Sequence, residues 1–217
     1  MKKNIRIVIA DDHPIFRKGL RTILESVKGF DIVAEAENGV ETIEKIREYT
    51  PDVAVLDVDM PEKTGVQVAE ELRKGKCTTE FIFLTMFKEK DLFDEAMELN
   101  VKGYVLKDNA LMEIVHCVQS VAKGEHYISP SLSTFVIHRS STIKEFKNNN
   151  PALETLTPSE IAILKRVAAH KTSKEIAAEL NISVRTVEHH RAHIAEKLKI
   201  KGSQALLKFA IENKSLL

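Results

Sequence analysis

Five side chains that could handle phosphate follow apolar, β-branched runs at separate places along the chain. Asp11 and Asp12 follow the first run, and Asp57 ends another in the stretch DVAVLDVDMP. Thr85 and Lys107 end two later runs. Three carboxylates in one small site repel each other, and a hard divalent cation such as Mg²⁺, which prefers oxygen ligands, balances them. The hydroxyl and the ammonium group could then hold phosphoryl oxygens while one carboxylate acts as the nucleophile.

Each of these residues also has an ordinary structural interpretation. A single Asp after a strand is often a loop or helix-capping carboxylate, and a single Thr or Lys there is more often structural still. Because all five stand at the ends of separate predicted strands, their joint occurrence favours a common site over five unrelated ones.

The elements that would bring these residues together alternate along the first 126 residues. Short apolar runs predict β-strands, and the amphipathic stretches between them predict helices. The predicted strands are 5–10, 31–36, 52–57, 80–85 and 103–107, and the predicted helices are 14–26, 39–49, 64–73, 89–99 and 109–122. Such alternation is typical of a parallel sheet covered on both faces, in which ligands bind beyond the carboxyl ends of the strands.

The last third of the chain shows only helical patterns. Predicted helices lie near 158–169, 173–180, 184–198 and 204–213. Two capping boxes and two further caps mark where they begin: Thr157 with Glu160, Thr172 with Glu175, Ser183 and Ser203. The second and third helices are separated by three residues, which predicts a helix-turn-helix.

Composition supports two domains with different partners. Residues 1–125 carry 18 Lys and Arg against 24 Asp and Glu, whereas residues 126–217 carry 14 against 8, although the formal net charge of the whole is zero. A basic second half favours a polyanionic partner. Two cysteines do not make a disulfide framework, and no apolar run approaches the roughly 18 residues of a membrane span. We therefore expect a cytoplasmic protein without a membrane partner.

The order and spacing of these motifs resemble a known family. The pattern DD, D-x-x-M-P, T and K after strands one, three, four and five resembles the receiver domain of two-component response regulators. The segments DDHPIFRKGL and LTPSE…SKEIAAELNISVRTVEHHRAHIAEKLKIKGS are similar to the NarL/FixJ subfamily, which joins a receiver to a LuxR-type helix-turn-helix. The resemblance implies a flavodoxin-like (CheY-like) α/β receiver with five parallel strands in the order 2-1-3-4-5, followed by a small all-α domain. We predict a receiver at 1–126, a linker at 127–152 and a DNA-binding domain at 153–217.

The resemblance also implies a role for each residue of the acidic site. Asp57 would be the phosphoacceptor, and Thr85 and Lys107 would contact the phosphoryl group. Asp12 and Asp57 would ligate Mg²⁺ through their side chains, Asp11 through water, and Asp59 through its backbone carbonyl. Tyr104 stands where the family has a switch aromatic. The chain departs from the family pattern at Asp108, where Pro often follows the Lys, and at His170, where Gly usually precedes the second output helix.

The basic helix near 184–198 predicts a DNA-binding face. With Val187 facing inward, helical spacing places Val184, Ile194 and Leu198 in the core stripe. Residues that face outward near the start of such a helix enter the major groove, and flanking basic residues meet phosphates. The DNA-binding candidates are Lys174, Arg185, Thr186, Glu188, His189, His190, Arg191, Ala192, Lys199 and Lys201. Of these, Arg185, Glu188, His189 and Ala192 are the base-facing candidates.

Two alternative functions compete with a phosphorylation-controlled transcriptional regulator. The Asp-x-Asp in LDVDMP also occurs in phosphatases of the haloacid-dehalogenase type, but there it ends the first strand and here it ends the third. A regulator that never takes phosphate is the other alternative, and the complete acidic set argues against it. We therefore expect a non-enzymatic regulator that a sensor histidine kinase phosphorylates, that binds double-stranded promoter DNA, and that forms a homodimer there.

Overall fold

A computed structural model describes residues 4–201, 204–214 and 217 of the chain. The chain divides into two units, Met1–Val136 and Ile137–Leu217. The predicted cap at Ser203 lies outside the described residues. The division falls inside the predicted linker 127–152, whose boundaries, like those of the two domains, stay a prediction.

The first unit is built on a parallel sheet in the order β2-β1-β3-β4-β5-β6. The strands are β1 Ile5–Ala10, β2 Phe30–Ala36, β3 Val53–Asp57, β4 Glu80–Thr85, β5 Gly103–Leu106 and β6 Tyr127–Ile128. The helices are α1 Pro14–Glu25, α2 Gly39–Tyr49, α3 Gly65–Lys74, α4 Lys90–Glu98 and α5 Lys107–Val121. The predicted α/β fold and the order 2-1-3-4-5 are confirmed, and a sixth strand is added at the edge.

Alternation along the strands produces two cores, one on each face of the sheet. Val8 and Leu56 belong to one buried cluster, whereas Ile7 and Val55 belong to the other. Successive side chains of a strand point to opposite faces, so a strand covered by helices on both sides must be apolar throughout. The sheet is therefore held rigidly from both faces, and its carboxyl edge is a firm support for side chains.

Two details of the first unit differ from the expectation. Lys107 is the first residue of α5 instead of the last residue of a strand. The sixth strand, Tyr127–Ile128, has only two residues, and it pairs with Gly103 and Tyr104 of β5. A strand this short has no alternation to detect, and the open edge of β5 decides its pairing.

The segment after β6 contains helical structure. A 3₁₀ turn at Pro130–Leu132 leads into α6, Ser133–Asn149, and a second 3₁₀ turn spans Pro151–Thr155. At its start, Phe135 of α6 packs in the first unit, 5.9 Å from the ring of Phe93. Near its end, Phe146 is buried in the second unit and stacks on Phe209 at 6.3 Å.

The second unit contains the four predicted helices. They are α7 Pro158–Ala168, α8 Ser173–Leu180, α9 Val184–Lys197 and α10 Ala205–Glu212. Both predicted capping boxes form, and Ser183 caps α9 by accepting the N–H of Thr186 at 3.0 Å. His170, which stands before α8 where the family usually has Gly, has a left-handed φ of +59°.

The core of the second unit corrects one assignment in the predicted stripe of α9. Val187 and Ile194 are fully buried and Leu198 packs against them, as predicted. The placement of Val184 was wrong, because 38% of this residue is exposed. Val184 is the first residue of α9, so it lies at the helix end beyond the surface that the other helices cover.

No helix among the described residues is both long enough and apolar enough to cross a membrane.

Candidate functional site

An ammonium group bridges two buried carboxylates at the carboxyl edge of the sheet. Lys107 Nζ lies 2.7 Å from Asp57 Oδ2 and 2.8 Å from Asp11 Oδ2. Asp11 follows β1, Asp57 is the last residue of the neighbouring strand β3, and Lys107 is the first residue of α5. All three side chains are almost completely buried. Three of the five residues predicted to share a site are thus in direct contact.

Burial changes the proton affinity of both partners. Removal from water raises the pKa of Asp57 to about 6, because its contact with Lys107 only partly offsets the desolvation and the nearby charge of Asp11 adds to it. Burial opposes the charged form of Lys107 as well, but its hydrogen bonds to Asp11 and Asp57 outweigh that effect and raise its pKa. The ammonium therefore stays charged, whereas the carboxylate is held in an unfavourable ionised state at neutral pH.

Asp12 completes an acidic cluster. Ligand atoms of Asp11, Asp12, His13 and Asp57 all lie within 4.8 Å of one another. Three carboxylates and one ammonium leave two negative charges when all are ionised and His13 is neutral. Oxygen ligands with a net charge of minus two suit a hard divalent cation, so the residues fit Mg²⁺.

Thr85 and Tyr104 lie on the adjacent strands β4 and β5 and are both fully buried. The Thr85 hydroxyl accepts the N–H of Phe87 at 3.1 Å. The Tyr104 ring packs edge-on against Phe93 at 5.3 Å, and among the described residues its buried hydroxyl has no hydrogen-bond partner. Burial raises the pKa of this phenol. The ring of the predicted switch residue thus already lies inside the unit.

The loop after β3 brings Asp59 next to the cluster. Its N–H lies 3.3 Å from Asp57 Oδ1, and Asp59 itself is exposed. The backbone of this loop lies against the first residue of α3, since a Cβ added to Gly65 would lie 2.4 Å from the carbonyl oxygen of Asp57. A glycine is required there because any side chain would displace the end of β3. The carbonyl of Asp59 as a metal ligand stays a prediction.

The sequence-based interpretation missed three residues that contact or support the site. His13 Nδ1 lies 2.6 Å from Asp12 Oδ1, the ring of Phe16 lies 5.1 Å from Lys107 Nζ, and Gly65 permits the close approach just described. The position of His13 directly after two aspartates was a usable signal. Phe16 and Gly65 carried none, because α1 and α3 meet the site only in the tertiary structure.

The helix-turn-helix of the second unit exposes most of the predicted DNA-binding residues. Asn181 adopts a left-handed φ of +53°, which allows α8 and α9 to be joined by so short a turn. The exposed candidates are Lys174, Arg185, Glu188, His189, Ala192, Lys199 and Lys201, and the half-buried ones are Thr186, His190 and Arg191. An outward face of α9 is therefore available to a partner.

Two half-buried candidates also have partners inside the unit. Arg191 donates to the hydroxyl of Ser173 at 3.3 Å, which ties α9 to the start of α8. The Thr186 hydroxyl lies 2.7 Å from that of Ser183. The rings of His189 and His193 lie 4.1 Å apart, close enough for two ligands of one metal ion. Among the described residues, however, the only group of three or more possible metal ligands is the acidic cluster of the first unit, so the histidine pair lacks further ligands there.

Comparisons with protein families agree with this two-part architecture. The family model of the response regulator receiver domain matches residues 7–119, and that of the bacterial regulatory proteins of the luxR family matches residues 154–210. The chain is 32% identical over 216 residues to the oxygen regulatory protein NreC of Staphylococcus epidermidis, which covers 98% of this chain and 99% of that protein.

Solved structures resemble both the first unit and the full chain. The signal receiver domain of NarL from Mycobacterium tuberculosis has 35% identity and a TM-score of 0.55, covering 57% of this chain and 99% of that one. The structure of an RcsB–DNA complex has 25% identity and a TM-score of 0.59, covering 95% of this chain and 98% of that one.

Proposed function

The chain belongs to the two-component response regulators of the NarL/FixJ subfamily, and from this premise we propose that a sensor histidine kinase phosphorylates it on Asp57 in a reaction that needs Mg²⁺. Its function is the regulation of transcription through a LuxR-type DNA-binding domain. The bridge from Lys107 to Asp57 and Asp11 carries the proposal, because it gathers a nucleophile, a cation-binding carboxylate and a phosphate-binding ammonium at one point.

The proposed chemistry is one displacement at phosphorus. An Asp57 oxygen forms a bond to the phosphorus as the bond to the histidine nitrogen of the kinase breaks, and the result is an acyl phosphate. Lys107 and Thr85 bind the transferred oxygens. Asp11, Asp12, Asp57 and the Asp59 carbonyl would hold the cation, which supplies charge neutralisation when bound. The receiver would catalyse only this transfer and its later hydrolysis.

Labelling with a small phosphodonor tests the assignment. With Mg²⁺ and acetyl phosphate, the parent should gain one base-labile phosphoryl group, and Asp57→Asn should gain none. Asp59→Asn is the matched control, because only its backbone carbonyl is used and its labelling should be retained. Asp12→Ala should label slowly at low Mg²⁺. Labelling of Asp57→Asn equal to that of the parent would exclude the assignment, and turnover of a phosphomonoester would favour the phosphatase alternative.

Tyr104 is the proposed switch between two states of the receiver. A buried hydroxyl without a partner costs about 1–3 kcal/mol, so the inward ring needs compensation from its surroundings. A phosphoryl group on Asp57 that draws Thr85 toward it would favour the inward conformation of Tyr104 and so supply this compensation. The coupling free energy between two sites of an allosteric protein is typically about 1–3 kcal/mol. Since the ring is already inward here, phosphorylation would hold this conformation instead of creating it. Tyr104→Phe, which removes the hydroxyl, should stabilise the unphosphorylated first unit.

On the second unit, we propose that some of the exposed residues contact DNA bases and others contact DNA phosphates. Arg185, Glu188, His189 and Ala192 would face bases, whereas Lys174, Arg191, Lys199 and Lys201 would meet phosphates. Duplex DNA selected from a random library provides a specific site for the test. Arg185→Ala should reduce discrimination at one position by about 1–3 kcal/mol. Lys174→Ala should weaken binding to all DNA sequences alike. It should also reduce, by about 0.9, the slope of the logarithm of the binding constant against the logarithm of the salt concentration.

Cytoplasmic location and homodimerisation on DNA complete the proposal. The apolar side chains of α10 serve the core of the second unit, since Leu206 and Ala210 are buried and Phe209 stacks on Phe146. The stoichiometry of the full chain on a selected duplex, measured by sedimentation with and without phosphodonor, tests the dimer. One chain per duplex under both conditions would exclude it.

A further inference from the structure

The ammonium group of Lys107 lies over an aromatic ring in addition to contacting two carboxylates. Its Nζ is 5.1 Å from the centroid of the Phe16 ring, and it is 2.7 Å and 2.8 Å from Oδ2 of Asp57 and of Asp11. A cation over a ring face and within about 6 Å of the centroid is attracted by the negative potential of that face. Phe16 is therefore a third neighbour that compensates the charge of Lys107.

Burial makes this third neighbour important. Only 6% of the Lys107 side chain is exposed, so water solvates its ammonium group poorly. An ammonium group carries three N–H donors, and the carboxylates of Asp11 and Asp57 can accept two of them. A charge that is removed from water is costly unless its surroundings compensate it, and an aromatic face can receive an N–H group. An aliphatic side chain in place of Phe16 would fill the same space without this attraction.

The position of Phe16 follows from the buried stripe of α1. The helix begins at Pro14, so Phe16 lies in its first turn. Leu20 and Leu24 follow at intervals of four residues and are fully buried, and Phe16 packs half-buried against the same core cluster. Residues four apart lie on one face of a helix, so this stripe holds the ring in place. The ring thereby meets Lys107, the first residue of α5.

A fixed ring suits a lysine that must change partners. In the proposed phosphoryl transfer, the ammonium group contacts Asp57 at first and then also binds the transferred oxygens. Hydrogen bonds to oxygen depend strongly on direction, whereas the attraction to a ring face is electrostatic and does not require one particular oxygen. The ring can therefore hold the ammonium group in place while its oxygen partners change. A cation that is already in place needs no reorganisation when charge develops.

We propose that Phe16 is a positioning residue for phosphoryl transfer and that its ring face holds the Lys107 ammonium group where the transferred oxygens arrive. The inference rests on the proposed function, because it concerns the reaction at Asp57. Phe16 acts only through Lys107, and the carboxylates that would hold the cation keep their role.

Fluorination of the ring at residue 16 of the full-length chain tests this role. Fluorine withdraws electron density from the ring face but changes the size of the ring little, so it weakens the attraction to a cation and preserves packing. With Mg²⁺ and acetyl phosphate, the initial rate of labelling should fall stepwise from phenylalanine through its mono-, di- and trifluorinated forms. The total decrease should be between about twofold and thirtyfold. Phe16→Leu, which keeps an apolar side chain without a ring, should lower the rate by a similar factor.

Phe30 provides the matched control. It packs half-buried against the same core cluster as Phe16. Among the described residues, a cation lies over the rings of Phe16 and Phe81 only. The same fluorination series at residue 30 should therefore leave the labelling rate unchanged. Rates are compared per folded protein, measured by urea unfolding, so that a loss of stability does not imitate the effect.

The outcomes separate this inference from the proposed function. A rate that changes by less than about twofold across the series at residue 16, or that falls equally at residue 30, would overturn the role of Phe16 and leave the Asp57 assignment intact. Phe16→Leu that labels as fast as the parent would also overturn it. An unsubstituted chain that takes up no label, or Asp57→Asn that labels like the parent, would overturn the proposed function itself.

Discussion

Replacing Asp57 by Asn should stabilise the first unit at neutral pH, although it removes the proposed nucleophile. Burial holds the pKa of Asp57 near 6, against an ordinary value of 3.8, so the folded state binds a proton more tightly than the unfolded state. Stability that depends on this carboxyl is therefore greatest below pH 3.8 and falls as the pH rises to about 6. Asn removes the ionised form and with it this loss.

The expected magnitude follows from the two pKa values. A difference of about two units corresponds to roughly 3 kcal/mol at pH 7.5 and to about half of that at pH 5. Lys107 loses one of its two carboxylate partners in the variant but keeps Asp11 at 2.8 Å. We therefore expect a net gain in the free energy of unfolding of about 2 kcal/mol at pH 7.5, and about half of that at pH 5.

The chain offers a selective probe for this measurement. It has three tyrosines and no tryptophan, and Tyr49, Tyr104 and Tyr127 all belong to the first unit. Tyrosine emission during urea unfolding of the full chain therefore reports that unit alone. The assay compares the parent with Asp57→Asn in metal-free buffer at both pH values. Asp31→Asn, at an exposed residue of β2, is the matched control and should change stability by less than about 0.5 kcal/mol.

Two results would refute this reasoning. A lower stability of Asp57→Asn than of the parent at pH 7.5 would show that the contact with Lys107 outweighs desolvation. A gain of the same size at both pH values would show that it arises from packing and not from ionisation. Added Mg²⁺ should stabilise the parent more than the variant and so reduce the difference between them.

Three further substitutions test other parts of the structure. Glu160→Gln should cost the second unit about 1–2 kcal/mol at pH 7, because Glu160 pairs with Lys197 at 2.7 Å and its contacts lower its pKa to about 2. A carboxyl whose pKa is lowered by folding stabilises the folded state at pH values above its ordinary pKa of 4.5. The cost of Glu160→Gln should therefore shrink as the pH falls toward 2, as measured by circular dichroism during urea unfolding. His170→Gly should increase the free energy of unfolding of the second unit by about 1 kcal/mol and raise its melting temperature, because glycine adopts a φ of +59° without strain. Gly65→Ala should destabilise the first unit by about 1–3 kcal/mol and reduce phosphodonor labelling, because its Cβ would collide with the Asp57 carbonyl.

Matched controls exist for the last two substitutions. Ala169 has a φ of −84°, so Ala169→Gly should not stabilise the second unit, and equal gains at both positions would contradict the backbone explanation for His170. At Gly75 an added Cβ would come no closer than 3.4 Å to its nearest neighbour, so Gly75→Ala should keep full labelling. Normal labelling of Gly65→Ala would show that the end of β3 tolerates displacement. For Glu160→Gln, a cost that is independent of pH would point to lost packing.

Much of the fold follows from the sequence because its signals are local. Alternation and helical spacing predicted the five main strands and their helices to within a few residues. Both capping boxes formed where Thr157 and Thr172 indicated, since a cap involves only neighbours three residues apart. The two-residue strand β6 and the exposure of Val184 were not predictable in this way, because they depend on a sheet edge and on where neighbouring helices stop.

For the candidate site, the sequence by itself determined which chemical groups reach the carboxyl edge of the sheet, because strand ends in a parallel sheet converge there. It did not determine how those groups pair. Only the tertiary structure brought Lys107 between Asp57 and Asp11, buried Tyr104 without a hydroxyl partner and turned His13 toward the cluster. The pKa of Asp57 depends on these arrangements, because desolvation and pair distances are set by contacts between segments far apart in the chain.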